Sequence, residues 1–531
     1  MISEAIDNLV AIFSPGAAAK RVADRATFDA IKSRRLEAGK RDRLTNPWVV
    51  KNQSGENSSR AEVSLARDRA WDLFWNNAYA RKAVRGVVSQ VIGCGLKPES
   101  QATKPNGDPY EEFRNASKQL WKFWSEEVGF DQTACLALQE TMLSGEVLFL
   151  KDYSEGGIIP YRLHLVESER LIDDDTFSAR RAEIGKGNYL YRGIEFTPQG
   201  SIAAYHLYEF HPQDPRPTFR NTKIRRYVAD DVIHLFLRER PSQIRGTTWF
   251  APAVLQLRDI KDYQENELVA AAVGACVVAG VTRKSGSGAF PGLNTPSSAS
   301  ATDADGNTIT RMQPGMLLDL REGEKIEGFN PQRPNSQAEA FITHLLRSVA
   351  ASLPGLKSST ITGDYRSSSF SSEKSADNDA WREVEQIQDW LVASLMRPVW
   401  ADVISYGVLS GYFSGLDLRT FKSSDFSQNR QLLLQATWSG PVAKSINPTD
   451  DETASELAIK TGTSSLPIEC AARGLNWEDV LEDQKKVMEK RKELGIPDPA
   501  QMEADALKAK IQPKTNDQQP KRLNGVLNGS H

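Results

Sequence analysis

Hydrophobic residues recur every three to five positions across 61–92, with arginines between them, and this spacing predicts a helix. Two more helices are predicted at about 109–126 and 131–143. Short β-branched or aromatic runs, separated by Gly, Pro and Asp turns, then predict strands at 147–150, 161–166, 193–196 and 202–208. Helices first and an antiparallel sheet after them indicate an α+β domain.

A long helix is predicted at 249–281, and the character of its side chains changes halfway. The first half is highly charged, and Arg258 with Asp262 and Lys261 with Glu265 have the i,i+4 spacing of helical ion pairs. The second half is almost entirely Ala, Val and Gly, which lets a neighbouring helix approach closely. Two interpretations remain open: a helix buried in its own subunit, or one packed against copies of itself.

Residues 283–335 are rich in Gly, Ser, Asp and Pro and have no helical period. Two short strands are predicted within them, at 315–320 and 325–329. A helix restarts at Ser336, which has Glu339 three residues later in the spacing of a capping box. Two helices that flank an irregular β segment indicate a protrusion on a stalk.

The rest of the chain divides by composition. Residues 355–372 are rich in Ser and Gly and are predicted to be loop. A third long helix is predicted from Glu373 to Met396, closed by Pro398. The chain is then mixed and finally helical.

The net charge limits how the chain can meet nucleic acid. Lys and Arg total 66 against 69 Asp and Glu, a formal net charge of -3. A tight grip on duplex DNA depends on a basic excess that releases counterions. DNA contact is therefore expected to be loose or confined to a patch. With 40% hydrophobic residues, the 531-residue chain can still bury a core.

The cysteines and the apolar runs favour a protein of a reducing, aqueous compartment. The four cysteines are far apart and include no CxxC pair, so neither a zinc ribbon nor a disulfide scaffold is indicated. The longest uncharged apolar run, 268–281, is too short to cross a bilayer. The predicted location at synthesis is the cytosol.

The sequence offers little for catalysis. It lacks a Walker loop, an HExxH helix, a GxSxG elbow and metal-finger spacing. The aspartates at 173–175 could hold a cation, but a solvated turn is the favoured interpretation. Asp231 and His234 are three apart on a predicted strand, so their side chains point to opposite faces. We predict no enzyme activity, metal or cofactor, with a metal-dependent hydrolase using 173–175 or His234 as the alternative.

Several separated motifs follow one another along the chain. Val232-Ile-His-Leu-Phe precedes Glu239-Arg-Pro-Ser-Gln-Ile-Arg-Gly246, with Trp75-Asn-Asn-Ala-Tyr-Ala-Arg before them and Thr362-Gly-Asp-Tyr365 after them. Together, over about 61–485, they resemble the portal proteins of lambda-like tailed phages. The family-motif residues are His234, Gln243, Arg245, Gly246, Gly363, Asp364 and Tyr365.

The resemblance implies a structural ring subunit. Portal subunits form rings, usually dodecamers, at one capsid vertex, where they nucleate head assembly and pass double-stranded DNA during packaging and ejection. The implied partners are copies of the chain, DNA without sequence specificity, terminase, major capsid and scaffold proteins, and head–tail connector proteins. No membrane is involved. The implied location is the virion, with the host cytoplasm during assembly. A head–tail adaptor is the structural alternative, but adaptors are usually much shorter.

The resemblance also implies a portal fold of the α+β class. Its parts map onto this chain as a polar N-terminal arm at 1–60, a wing at 61–248, a stem helix at 249–282, a clip at 283–335, a second stem helix at 336–354, a tunnel loop at 355–372, a tunnel helix and return to the wing at 373–430, a helical crown at 431–510 and a disordered tail at 511–531.

Two sets of candidate site residues follow from this map. The candidates for light phosphate contacts in the DNA channel are Lys357, Arg366 and Lys374, for which a solvated loop is the alternative. The candidates for packing between neighbouring stem helices are Ala271, Ala272, Gly274 and Ala275. At 366 and at 373–374 this chain departs from the residues common in the family, so the family's charge pattern is not carried over there.

Overall fold

The fold is that of a computed structural model of the chain. The residues it describes are 62–154, 156–173, 184–215, 223–282, 337–366, 369–415, 423–443, 448–473 and 477–497, with short stretches before 62 and between 301 and 320. The chain divides into two units, Met1–Arg60 and Ala61–His531, and every element named here belongs to the second. The predicted tail at 511–531 and most of the predicted arm and clip lie outside the described residues.

Two helices open the second unit. α1 (Val63–Asn76) and α2 (Ala78–Val91) meet at Asn77, whose side chain accepts hydrogen bonds from the N–H groups two and three residues on. This N-cap satisfies donors that a new helix leaves open, and so it starts one. The single helix predicted at 61–92 is therefore wrong: it is two.

The next two helices carry the aromatic core. α3 (Glu111–Val128) and α4 (Phe130–Ser144) confirm the two helices predicted there. The ring of Trp121, on α3, lies 5.5 Å from the ring of Phe130 and 5.7 Å from that of Trp400. The core thus joins the first half of the unit to a helix far along the chain.

Small antiparallel sheets follow. β2 (Glu146–Asp152) is the central strand of a three-stranded sheet, between β3 (Arg162–Glu167) and β8 (Val232–Phe236). A four-stranded sheet keeps chain order, and its strands are β4 (Tyr189–Tyr191), β5 (Ile194–Phe196), β6 (Ile202–Tyr208) and β7 (Ile224–Val228). β1 (Lys97–Ser100) pairs with β13 (Ala436–Ser439). The mixture of helices with small antiparallel sheets confirms the predicted α+β class.

The long helix α5 (Val254–Cys276) ends sooner than predicted. Residues Val277–Thr282 form β9, which pairs in parallel with β12 (Met316–Leu320). The valines within 277–282 favour extended backbone and Gly280 weakens a helix. The helical prediction is therefore wrong beyond Cys276. β12 confirms the strand predicted at 315–320, whereas the strand predicted at 325–329 lies outside the described residues. β10 (Ala301–Thr302) and β11 (Thr308–Ile309) form a short antiparallel pair.

Helix α6 (Ala338–Ala350) begins next to the predicted capping box of Ser336 and Glu339. Its N-cap is Gln337, whose side chain makes no capping hydrogen bond. Glu339 pairs with Arg366 from a later loop. Because Ser336 lies outside the described residues, the capping box stays a prediction.

The segment predicted to be loop at 355–372 is partly helical. It contains α7 (Ser358–Thr362), and α8 (Phe370–Leu391) begins within it. The side chains of Ser369 and Ser372 form a reciprocal capping box at the start of α8. Serines that suggested loop therefore serve to start a helix.

Pro398 does not close the third long helix, contrary to prediction. α8 passes through a π-helical turn, Val392–Met396, directly into α9 (Arg397–Leu409). A proline lacks an N–H and its ring crowds the turn before it. The wider π turn lets the helix continue past that position.

The last described elements are helical, apart from β13. They are α10 (Ser423–Leu433), α11 (Pro448–Thr461), α12 (Leu466–Ala472) and α13 (Trp477–Glu493). None of the helices in the described part of the chain combines the length and apolarity that a bilayer crossing needs.

Candidate functional site

A buried carboxylate lies where the three-stranded sheet meets the turn before α5. Glu146, at the start of β2, accepts hydrogen bonds from Arg245 Nε at 2.7 Å and from the backbone N–H of Gly246 at 2.9 Å. His234 Nε2 lies 3.0 Å from Glu146 Oε2. Burial would raise the pKa of Glu146, but Arg245 and His234 outweigh burial and hold the pKa well below its usual range. We call these four residues the junction cluster.

Gln243 shapes the turn that brings Arg245 to the cluster. Its Oε1 accepts from the backbone N–H groups of Glu239 and Arg240 at 2.9 and 3.3 Å, and its Nε2 donates to the carbonyl of Arg245 at 2.9 Å. The amide thus supplies both an acceptor and a donor, which no carboxylate could do when ionised. Gln243 is a positioning residue for Arg245.

Gly246 is required by a close crossing of two backbones. A Cβ at this position would overlap the carbonyl group of Gly145, and a Cβ at Gly145 would overlap the backbone of Thr247. Only glycine at both positions, 145 and 246, allows the two backbone segments to come so close. The crossing presses the turn against the beginning of β2.

The turn then fixes the start of α5. The backbone N–H of Trp249 and the hydroxyl of Thr248 both donate to the carbonyl of Met142, at 3.0 and 3.2 Å. Further along, Asn77 Nδ2 donates to the carbonyl of Leu257 at 3.2 Å. The junction cluster and these bonds set the position of α5 against α1 and α4.

A second layer of buried polar groups backs the cluster. Arg67 NH2 lies 3.5 Å from Glu146, and Arg67 Nε donates to the carbonyl of Ser144 at 3.2 Å. The Ser144 hydroxyl donates to Glu140 at 2.6 Å and accepts from Trp71 Nε1 at 2.9 Å. Burial raises the pKa of Glu140 to about 7, although the Ser144 hydrogen bond acts to lower it.

The candidate metal ligands are engaged in protein contacts. His234 lies on β8 and contacts Glu146, and Asp173 pairs with Arg192 Nε at 2.8 Å. Asp174 and Asp175 lie outside the described residues. Within the described ranges, no group of three His, Cys, Asp or Glu side chains is arranged to hold a metal ion.

The candidate channel residue Lys357 is held within its own chain. Its side chain is 16% exposed, and its Nζ lies 2.7 Å from Glu373 and also bonds to Asp377. Burial would lower the pKa of Lys357, but the hydrogen bonds that Lys357 donates to Asp377 and Glu373 outweigh burial and raise that pKa. The Ser359 hydroxyl donates to Glu373 at 3.1 Å. This set fixes the base of the loop.

Arg366 is also paired, but in water. It donates to Asp364 from Nε at 2.9 Å and from NH2 at 2.8 Å, and NH2 lies 2.6 Å from Glu339 on α6. Hydrogen bonds from Arg366 lower the pKa of Asp364 to about 2. Tyr365 beside it is exposed, and Gly363 adopts a left-handed conformation as the C-cap of α7. Lys374 is exposed on α8.

The second half of α5 has apolar side chains that are exposed. Leu268 and Val269 are 70% and 62% exposed, and Ala271 and Ala272 are exposed beside them. α5 touches α6 through the rings of Tyr263 and Phe341, whose centroids are 5.3 Å apart. Gly274 and Ala275 continue the helix, and their side-chain environment lies outside the described residues.

The structure brings some predicted site residues together and separates others. Four family-motif residues, His234, Gln243, Arg245 and Gly246, meet at one buried point, while Gly363, Asp364 and Tyr365 form a surface loop. Sequence reasoning missed Glu146, the partner that unites the first group. An acidic residue that opens an otherwise apolar run, Glu146 to Leu150, was the available signal.

Comparisons with known proteins agree on one family. The model of the family described as phage portal protein, lambda family, matches residues 41–388. The chain is 24% identical to the "Probable portal protein" of Halomonas phage phiHAP-1, over 88% of each chain. It is 20% identical to "Portal protein B" of Escherichia phage lambda, over 85% of this chain and 89% of that one.

A solved structure, "Neck of native GTA particle computed with C12 symmetry", matches 72% of this chain and all of its own at 14% identity, with a TM-score of 0.31. The family model alone covers more than half of the chain, and it matches the region that contains the junction cluster, α5 and α6. The chain belongs to the lambda family of phage portal proteins.

Proposed function

We propose that copies of this chain form a ring, a dodecamer as is usual in the family, which makes the channel for double-stranded DNA at one capsid vertex. DNA is packaged and later ejected through it. The ring also nucleates head assembly and docks terminase, then head–tail connector proteins, with major capsid and scaffold proteins around it. It is part of the virion and assembles in the host cytoplasm. The role is structural.

The exposed apolar half of α5 carries this proposal. Leu268 and Val269 lie mostly in water on a helix that contacts α1 and α6 of its own chain over only part of its surface. Burying such a side chain is worth about 1.5–3 kcal/mol. A neighbouring copy on each side, with Ala271 and Ala272 permitting close approach, would cover this surface, and the pattern repeats around a ring.

The parts of the portal fold follow from that assignment. α5 and α6 would form the stem, with 283–335 between them as the clip. Residues 61–248 would form the wing, to which the junction cluster fixes the stem. The loop at 355–372 would face the tunnel, and 431–510 would form the crown.

The charges of the loop suit a channel through which DNA slides. Lys357 and Arg366 are matched by four carboxylates, those of Glu339, Asp364, Glu373 and Asp377. Strong phosphate contacts, repeated in every subunit, would hold the duplex. An acidic excess at the candidate channel residues supports passage without grip.

Negative-stain microscopy and mass photometry of the purified full-length chain test the ring. We expect rings with a central hole for the wild type and for Val228→Asp, a matched exposed valine on β7. Val269→Asp should yield mainly monomers, because each interface would bury an unpaired charge. Ala272→Leu should disturb assembly by overpacking.

A wild-type chain that stays monomeric at all concentrations would overturn the proposed function. Normal rings from Val269→Asp would leave the ring in place but show that α5 does not form the interface.

A further inference from the structure

The loop at 355–372, which contains α7, is fixed at its base before α7 and held at its tip after α7. At the base, Lys357 is largely buried and bonds to two carboxylates of α8. The backbone N–H of Gly355 also donates to Glu383 at 2.7 Å. At the tip, Arg366 joins the loop to α6 through Glu339. The two attachments differ in how easily water and ions reach them.

The tip attachment is open to exchange. Arg366 and Glu339 are 78% and 74% exposed. Exposed ion pairs contribute little and are screened by salt. Lys357 cannot exchange in the same way, because moving it would leave two partly buried carboxylates without their cation.

The two partners of Arg366 are not equivalent. Asp364 is part of the local turn, since its Oδ1 accepts from both the backbone N–H of Arg366 at 3.0 Å and the side chain at 2.9 Å. Glu339 belongs to another helix and touches Arg366 at NH2. A new anion would therefore displace Glu339 and leave the turn intact.

A DNA duplex provides such an anion. Its phosphates are spaced at about one charge per 1.7 Å of axis. A guanidinium fork fits a phosphate as well as a carboxylate. Lys or an amide at this position has a single donor nitrogen, so it could not hold Asp364 through one nitrogen while a second nitrogen exchanges its partner.

Resting on the proposed channel function, we propose that Arg366 is a releasable strap, which binds Glu339 when the channel is empty and exchanges it for a phosphate of the passing duplex. The exchange frees the loop from the second stem helix while its base stays fixed. DNA in the channel thereby changes the link between the tunnel loop and the stem.

Binding of a short mixed-sequence duplex to full-length rings, measured by fluorescence anisotropy at low salt, tests the exchange. Glu339→Gln removes the competitor of phosphate. The matched control is Asp379→Asn, which makes the same charge change at an exposed pair with Arg382 on α8. We expect Glu339→Gln to tighten binding by about threefold or more beyond the control. In an Arg366→Gln background that excess should disappear.

Release of the strap has its own readout. In rings without DNA, hydrogen exchange at 363–366 should be faster in Glu339→Gln than in the wild type or in Asp379→Asn. Equal affinities for Glu339→Gln and Asp379→Asn, or equal exchange, would overturn the strap while rings that bind the duplex still support the channel. Rings that do not bind the duplex at low salt would overturn the channel function and the strap together.

Discussion

Two arginines of this chain lie 2.6 Å from a carboxylate oxygen, in opposite surroundings. Arg245 meets Glu146 with both side chains almost fully buried, whereas Arg366 meets Glu339 with both mostly in water. In the first pair, losing a partner leaves a charge in a medium that cannot solvate it. In the second, water and salt replace whichever partner leaves. The two ion pairs therefore differ in how much they stabilise the chain, although their N–O distances are equal.

From this difference we infer that the Arg245–Glu146 pair is permanent and that the Arg366–Glu339 pair can exchange partners. In the junction cluster, the backbone N–H of Gly246 and His234 also contact Glu146, and Arg67 lies 3.5 Å from it, so that the carboxylate has partners on several sides. Arg366 has two carboxylates and no burial. In the proposed ring, the first kind of contact would hold the stem against the wing, and the second kind would suit a loop that meets moving DNA.

Replacing Arg245 or Arg366 should give the largest difference in stability between the two ion pairs. Arg245→Met leaves Glu146 buried and unpaired, so we expect a loss of about 3–5 kcal/mol in the free energy of unfolding. Arg366→Met should leave the unfolding midpoint unchanged within error. Urea unfolding followed by tryptophan fluorescence measures both. A small effect of Arg245→Met would mean that the cluster relaxes or admits water, and the comparison would fail.

Glu140 and Glu146 should affect the pH dependence of stability in opposite directions, because the pKa of one is raised and the pKa of the other is lowered. The folded-state pKa of Glu140, about 7, lies above its usual value, so the folded chain binds this proton more tightly than the unfolded chain. Stability from this group is therefore present at low pH and declines as pH rises towards 7, by a total on the order of 3 kcal/mol. The pKa of Glu146 is lowered, so its contribution to stability is present at neutral pH and is lost as the pH falls into the acid range.

Glu140→Gln isolates that effect, because glutamine copies the neutral carboxyl and can still bond to Ser144. The variant should match the wild type near pH 5 and exceed it in stability near pH 8, measured by urea unfolding at both. If the two proteins remain equal at pH 8, Glu140 is not a buried acid of raised pKa.

Local patterns predicted the elements well and the contacts between them poorly. Periodicity found α3, α4 and most of α5, and turn residues located β2, β3, β5 and β6, whereas β1, β4, β7 and β13 were not predicted. The split at Asn77 carried a local cap signal, whereas the continuation of α8 into α9, which contains Pro398, depends on a π turn that no spacing reveals. Arg245 was recognised by its motif, but its partner is 99 residues earlier. The charges of Lys357 and Arg366 were visible, and their carboxylate partners were not.

Gly246→Ala tests how the junction cluster around Glu146 depends on the close backbone crossing at Gly145. A Cβ there would overlap the backbone of Gly145, which cannot rotate away as a side chain can, so the turn must shift away from Glu146. We expect a loss of about 1–3 kcal/mol in the free energy of unfolding. Gly86→Ala on α2 is the control, since its Cβ would meet Leu356 at an ordinary 3.5 Å and should leave stability equal or higher. Gly246 bonds to Glu146 only through its backbone N–H. A loss of stability of this size in Gly246→Ala would therefore show that the cluster depends on how closely the two backbone segments cross, and not on charge alone.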